Sequence, residues 1–187
     1  MDGSKILEWP DLRLLKKSKE IKVVDRTVLS IIDDMICTLD KERCTSLAAN
    51  QIGQNKRIFV VNMSMLSRSD EEVDSKSVFV AINPEIIDGF GETVSAETCS
   101  TFPGQIFHVP RAHFISFRYQ DTEGNEREMN ASGPLANQVQ YMVDALDGCH
   151  LLDTLPAASR REAIEKFSSR KSEQEDIDEL YAIYGGD

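Results

Sequence analysis

The sequence predicts an α+β fold, and three observations carry that reading. Val28, Ile32, Met35, Ile36 and Leu39 recur at helical spacing over 26–40, behind a capping Asp25. Two compact apolar runs, 57–61 and 78–82, read as strands, the second closed by Asn83-Pro84. The alternating run 115–119 leads into Asp121-Thr122-Glu123-Gly124, the turn of a hairpin. No internal repeat interrupts this order. Between the two apolar runs, 67–77 has the charged composition of a surface loop. Gly133-Pro134 opens a later helix on which Leu135, Val139, Met142, Val143 and Leu146 form a wide apolar face, and Gly148 is its stop signal.

Composition bounds the function. A chain of 187 residues suits one domain with a sizeable core. No apolar run is long enough to cross a bilayer, and the polar N-terminus has no secretory pattern. Cysteines stand at 37, 44, 99 and 149, without close metal spacing, which points to a reducing interior. A cytoplasmic setting is therefore expected, with no organelle signal visible. The net charge of −11 argues against nucleic acid and against anionic membrane as partners.

Four segments carry a resemblance: 6–14 (Ile-Leu-Glu-Trp-Pro-Asp-Leu-Arg-Leu), 44–53 (Cys-Thr-Ser-Leu-Ala-Ala-Asn-Gln-Ile-Gly), 97–104 (Glu-Thr-Cys-Ser-Thr-Phe-Pro-Gly) and 140–148 (Gln-Tyr-Met-Val-Asp-Ala-Leu-Asp-Gly). Together, in this order and covering roughly 5–155, they resemble the peptide deformylases. The second is similar to the family's Gly-x-Gly-x-Ala-Ala-x-Gln loop, the third to Glu-Gly-Cys-Leu-Ser, the fourth to Gln-His-Glu-x-Asp-His-Leu-x-Gly. The resemblance implies mixed or antiparallel sheets packed around a central helix that carries the last motif. It also implies one divalent ion, iron, zinc or nickel, held by a cysteine and two histidines, with a glutamate that moves protons.

Measured against that pattern, Cys99 and Gln51 stand at the family's cysteine and oxyanion-stabilising positions, whereas Tyr141 and Ala145 replace the histidines and Met142 the glutamate. Histidines at i and i+4 would share one helical face; a phenol with an ordinary pKa near 10 and a methyl group do not make that pair. Cys44 and Ser46 stand where the loop has glycines, and Thr98 and Ser100 flank Cys99. The expectation is a deformylase-like protein without deformylase activity and without a cofactor. Its cleft would bind an extended peptide, with Ser46, Gln51, Ser100 and Arg111 as candidates, or it would serve as an assembly subunit. The alternative is a still active deformylase or amide hydrolase that removes N-formyl groups from nascent peptides with substitute ligands or altered chemistry.

The remaining candidates are few. His108 and His113 read as structural or solvated, and His150, beyond the helix end, is expected to point away from Cys99. Cys99 reads as a buried, inert thiol because no base is placed beside it by the motifs. Asp144 and Asp147 are expected to orient backbone or to pair with Arg111. Residues 1–157 read as the deformylase-like domain and 158–187 as a helical extension with an acidic end. In that extension Ile177, Leu180, Tyr181 and Tyr184 form an amphipathic stripe, either packing on its own domain or docking on a protein partner.

Overall fold

The structure, a computed structural model, describes residues 3–66 and 78–169. The surface loop expected over 67–77 and the stripe from Ile177 to Tyr184 lie outside the described residues. Helix α1 (Arg26–Lys41) begins at Asp25, whose Oδ1 accepts the Val28 N–H at 2.9 Å. Strands β1 (Ser46–Ala48) and β2 (Ile58–Asn62) follow, then a single helical turn α2 (Met63–Leu66). Next come two long strands, β3 (Val78–Cys99) and β4 (Phe102–Gln120), and the shorter β5 (Glu126–Ser132). Helices α3 (Gly133–Leu146) and α4 (Ala157–Ser168) complete the described chain. All five strands form one antiparallel sheet in sequence order.

Strand β2 is apolar on both sides because it separates two cores. Ile58 and Val60 face the α1 side with Ile32, Met35 and Leu39, whereas Phe59 and Val61 face the α3 side with Val139, Met142 and Leu146. The two-residue period of a strand makes that division automatic. Burying one such side chain contributes roughly 1.5–3 kcal/mol. The continuous run 57–61 records this double burial.

The structure extends β3 past the expected stop at Asn83-Pro84. The register shifts between Ile82 and Glu85, and Asn83 takes a left-handed φ of 50°. Pro84 therefore sits in an irregularity that asks no ladder N–H of it. The Asn83 side chain clamps the bend, accepting from Ile21 N at 2.8 Å and donating to Ile21 O at 2.7 Å. From Glu85 to Cys99 the strand pairs with β4 alone among the described residues, and its other edge is open to them.

Helix α3 lies across the sheet. Pro134 occupies its first turn, where its missing N–H is harmless. At the far end Gly148 adopts φ +81°, and a Cβ there would stand 2.5 Å from Leu15 O, so the chain can reverse only with glycine at this point. Helix α4 joins the same core through Ala163, Ile164 and Phe167, with Phe167 stacked on Phe102 at 4.2 Å between ring centroids. Among the described residues no helix is long and apolar enough to cross a membrane.

Candidate active site

The three motifs meet where the end of β3, the turn after β1 and the middle of α3 converge. In the turn 49–52, Ala48 N–H donates to Gln51 Oε1 at 2.8 Å. That bond orients the Gln51 amide, whose Nε2 donates to Tyr141 Oη at 3.3 Å. Tyr141 in turn donates to Cys99 Sγ at 2.9 Å. Thr101 Oγ1 lies on the other side of the sulfur at 2.8 Å. All four side chains are buried.

His150 completes this network, against the expectation that it points away. Its Nε2 lies 3.1 Å from Thr101 Oγ1 and 3.9 Å from Cys99 Sγ. The reversal at Gly148 and the turn at 151–154 swing the ring back under Trp9, with centroids 4.8 Å apart. Because Nδ1 accepts the Leu152 N–H at 3.2 Å, the neutral ring carries its proton on Nε2 and presents a donor to Thr101. Burial pushes the His150 pKa down to about 4, so the ring is neutral near pH 7. Burial also raises the Cys99 thiol, against hydrogen bonds from Thr101 and Tyr141 that favour the thiolate. Tyr141 is shifted upward as well, by burial and then by the neighbouring sulfur, and remains a phenol.

A cleft of about 360 Å³ opens beside this network. Ser46, Gln51 and Ser100 line it, as do Ala96, Glu97 and Thr98 from the open edge of β3. Cys99 lies behind the cleft, facing a small cavity whose walls also include Gln51, Tyr141, Ala145 and His150. Gln51 and Tyr141 border both spaces. The replaced glycines are not strained: Cys44 and Ser46 avoid the left-handed region, which falls instead on Arg43 at φ 50°. Cys44 Sγ meets Ser100 Oγ at 3.2 Å.

Arg111 is turned away from the cleft. Its Nε and Nη2 donate to the two Glu97 oxygens at 2.8 and 2.9 Å, and its Nη1 donates to Asp144. Burial raises the Asp144 carboxyl, and the Arg111 guanidinium works against that shift. Asp147 pairs instead with Arg57 at 2.8 Å and Lys17 at 3.4 Å. Met142 is fully buried in the core. His108 and His113 are exposed on β4; His108 stands opposite Ala96 in register, beside the motif that begins at Glu97, but lines neither the cleft nor the small cavity, and His113 lies farther along the strand. Thr101 and Gln138 were not singled out by sequence reasoning, since neither departs from an ordinary strand-end or helix residue; their partners make them part of the site.

Comparison with known proteins agrees with this geometry. The family model described as polypeptide deformylase matches residues 4–161. The chain is 34% identical over 166 residues to a Thermodesulfovibrio yellowstonii peptide deformylase, covering 89% of this chain and 97% of that one. It is 37% identical to peptide deformylase 2 of Xanthomonas campestris, covering 86% and 91%. A crystal structure of a Legionella pneumophila peptide deformylase superposes with a TM-score of 0.82 at 32% identity, over 91% of this chain and 96% of that chain. The Ehrlichia chaffeensis deformylase in complex with actinonin gives 0.79 at 33% identity, over 93% and 99%.

These findings overturn two expectations. Relatives of this similarity, matched over nearly their whole length and named peptide deformylase, support the active alternative rather than a protein without that activity. They also go against the expectation of no cofactor, since the family's reaction runs on a bound divalent ion. The donors at the three matching positions here do not fit that ion: Cys99 offers a thiol, Tyr141 a buried phenol and Ala145 nothing. Among the described residues no three His, Cys, Asp or Glu side chains are grouped to hold one.

Proposed function

This chain belongs to the peptide deformylase family, and from that premise we propose that it removes the N-formyl group from peptides with the Cys99 thiol as the reacting group. The observation that carries the reading is that Gln51, which borders the cleft together with the open β3 edge, also borders the small cavity that Cys99 faces. An extended peptide added to the edge at Ala96–Thr98 would bring its N-terminus toward Gln51 and Ser100. The Gln51 amide and the backbone N–H of Ser100 are then the donors for the carbonyl oxygen as charge develops there.

The chemistry at hand is that of a thiol in a cage of donors. Sulfur bonds to the formyl carbon and the carbon–nitrogen bond breaks. The thiol proton leaves with the new amino terminus, and an S-formyl thioester remains. Water then releases formate and restores the thiol. His150 Nε2–H and Tyr141 Oη–H are the proton donors facing the sulfur. Tyr141 stands between cleft and sulfur, so its ring has to swing aside for the carbon to reach Cys99.

A formyl-Met peptide assay on the full chain, with Cys99→Ala as the control, tests the reading. Formate release that vanishes in Cys99→Ala supports it. Release equal in both proteins, or absent from both, ends it.

A further inference from the structure

The turn that carries Gln51 also carries Asn50, whose amide is only half used. Asn50 Nδ2 donates to Ala145 O at 2.6 Å and to Leu14 O at 3.4 Å. Those bonds fix the amide and leave Oδ1 as an acceptor. Asn50 is 3% exposed, and among the described residues no group donates to its Oδ1. A buried acceptor of this kind takes its hydrogen bond from water. Asn50 is also a wall of the small cavity that Cys99 faces, together with Thr101 and His150. The cavity holds about 10 Å³, room for a single water molecule. Exposed Cys149 borders it too and does not border the cleft, so solvent has a way in that a bound peptide does not block.

Resting on the hydrolase reading, we infer that Asn50 holds the water that releases formate from Cys99. The water donates one O–H to Oδ1, which leaves an oxygen lone pair free for the formyl carbon of the thioester. The water oxygen bonds to that carbon, and the carbon–sulfur bond breaks. The bonding pair goes to sulfur with one proton of the water, which restores the thiol. The other proton stays on formic acid until solvent takes it. Asn50 is a positioning residue here: its neutral amide orients the water and takes up no proton.

Intact-mass spectrometry of the full chain during turnover of formyl-Met-Ala-Ser, alongside formate release, tests this. Asn50→Leu nearly keeps the volume and removes the acceptor. The expected result is an S-formyl adduct on Cys99 that forms at the parent rate and decays roughly tenfold more slowly, so that it accumulates. A packing role would slow formation and decay alike. Asn50→Asp restores an oxygen at the same point and is expected to recover most of the lost decay rate. Decay at the parent rate in a folded Asn50→Leu overturns the proposal, as does slower formate release with no adduct, or an Asn50→Asp variant as slow as the leucine one. If the unsubstituted chain shows neither adduct nor formate, the hydrolase reading falls and the role of the water falls with it. If Asn50→Leu does not fold, a crystal structure of the unsubstituted chain decides: a water within about 3.2 Å of Asn50 Oδ1 and beside Cys99 supports the proposal, and no water there overturns it.

Discussion

Tyr141 Oη donates to Cys99 Sγ at 2.9 Å, and the two side chains belong to different motifs that are 42 residues apart in the chain. The phenol fills the position from which the family's first histidine would reach its ion. It also joins the sulfur to Gln51, so the three positions form a hydrogen-bonded chain rather than a set of independent ligands.

Access to Cys99 follows from that contact. Cys99 is buried while Cys149 is exposed, and burial raises the Cys99 thiol. Alkylation with iodoacetamide, mapped by mass spectrometry, is expected to modify Cys149 at least about tenfold faster than Cys99. Tyr141→Ala is expected to narrow that gap. Equal rates at the two cysteines in the unsubstituted chain would contradict the assignment of Tyr141 as the cover.

The Arg111–Glu97–Asp144 cluster makes a separate prediction about stability. Glu97 is buried, and among the described residues its cationic partner is Arg111. Arg111→Ala strands that carboxylate and is expected to cost about 3–5 kcal/mol in urea unfolding. Arg118→Ala removes an exposed pair with Glu85 and is expected to leave the unfolding midpoint nearly unchanged. Similar losses in both variants would show that Glu97 finds another partner.

Acid stability should report His150. Its pKa is lowered from an ordinary 6.5 to about 4 by burial. The unfolded chain therefore takes up this proton first. The contribution is complete above about pH 6.5 and is lost as pH falls through about 4, amounting to roughly 3 kcal/mol. The measurement is the difference in unfolding free energy between the unsubstituted chain and His150→Gln from pH 7 to pH 4. A difference that does not shrink over that window would place His150 in water.

The three replaced positions lie on one face of α3, which makes the family's donor set recoverable. Tyr141→His, Met142→Glu and Ala145→His together put two imidazoles at i and i+4 beside Cys99. The triple variant is expected to bind about one equivalent of zinc or iron by elemental analysis and to release formate about 100-fold faster than the parent. A folded triple variant that takes no metal would mean that the backbone of α3 has moved away from the Cys99 loop.

Much of this site was legible in the chain, and the illegible parts have physical reasons. Helix α1 announced itself through Asp25 and its apolar period, and α3 through Gly133-Pro134 and Gly148, because caps and periodicity are local. The motif residues Gln51, Cys99 and Tyr141 were named from the resemblance to the family's motifs, and the fold brings them into one network. The extension of β3 past Pro84 was hidden because the bulge depends on Asn83 reaching Ile21, 62 residues away in the chain. His150 was misplaced because the reversal at Gly148 decides where its ring points, and that reversal rests on close contact with Leu15. The pairing of Arg111 with Asp144 was expected, whereas its bidentate pair with Glu97 was hidden because the two stand on different strands, 14 residues apart in the chain.

The most direct test of the account is formate release from a formyl-Met peptide by the purified full chain and by Cys99→Ala, with the metal content of both measured on the same samples. The account predicts turnover in the unsubstituted chain that is lost in Cys99→Ala without a matching change in bound metal. Turnover that survives in Cys99→Ala, or that follows the metal content and not the thiol, would contradict it, as would its absence from both proteins.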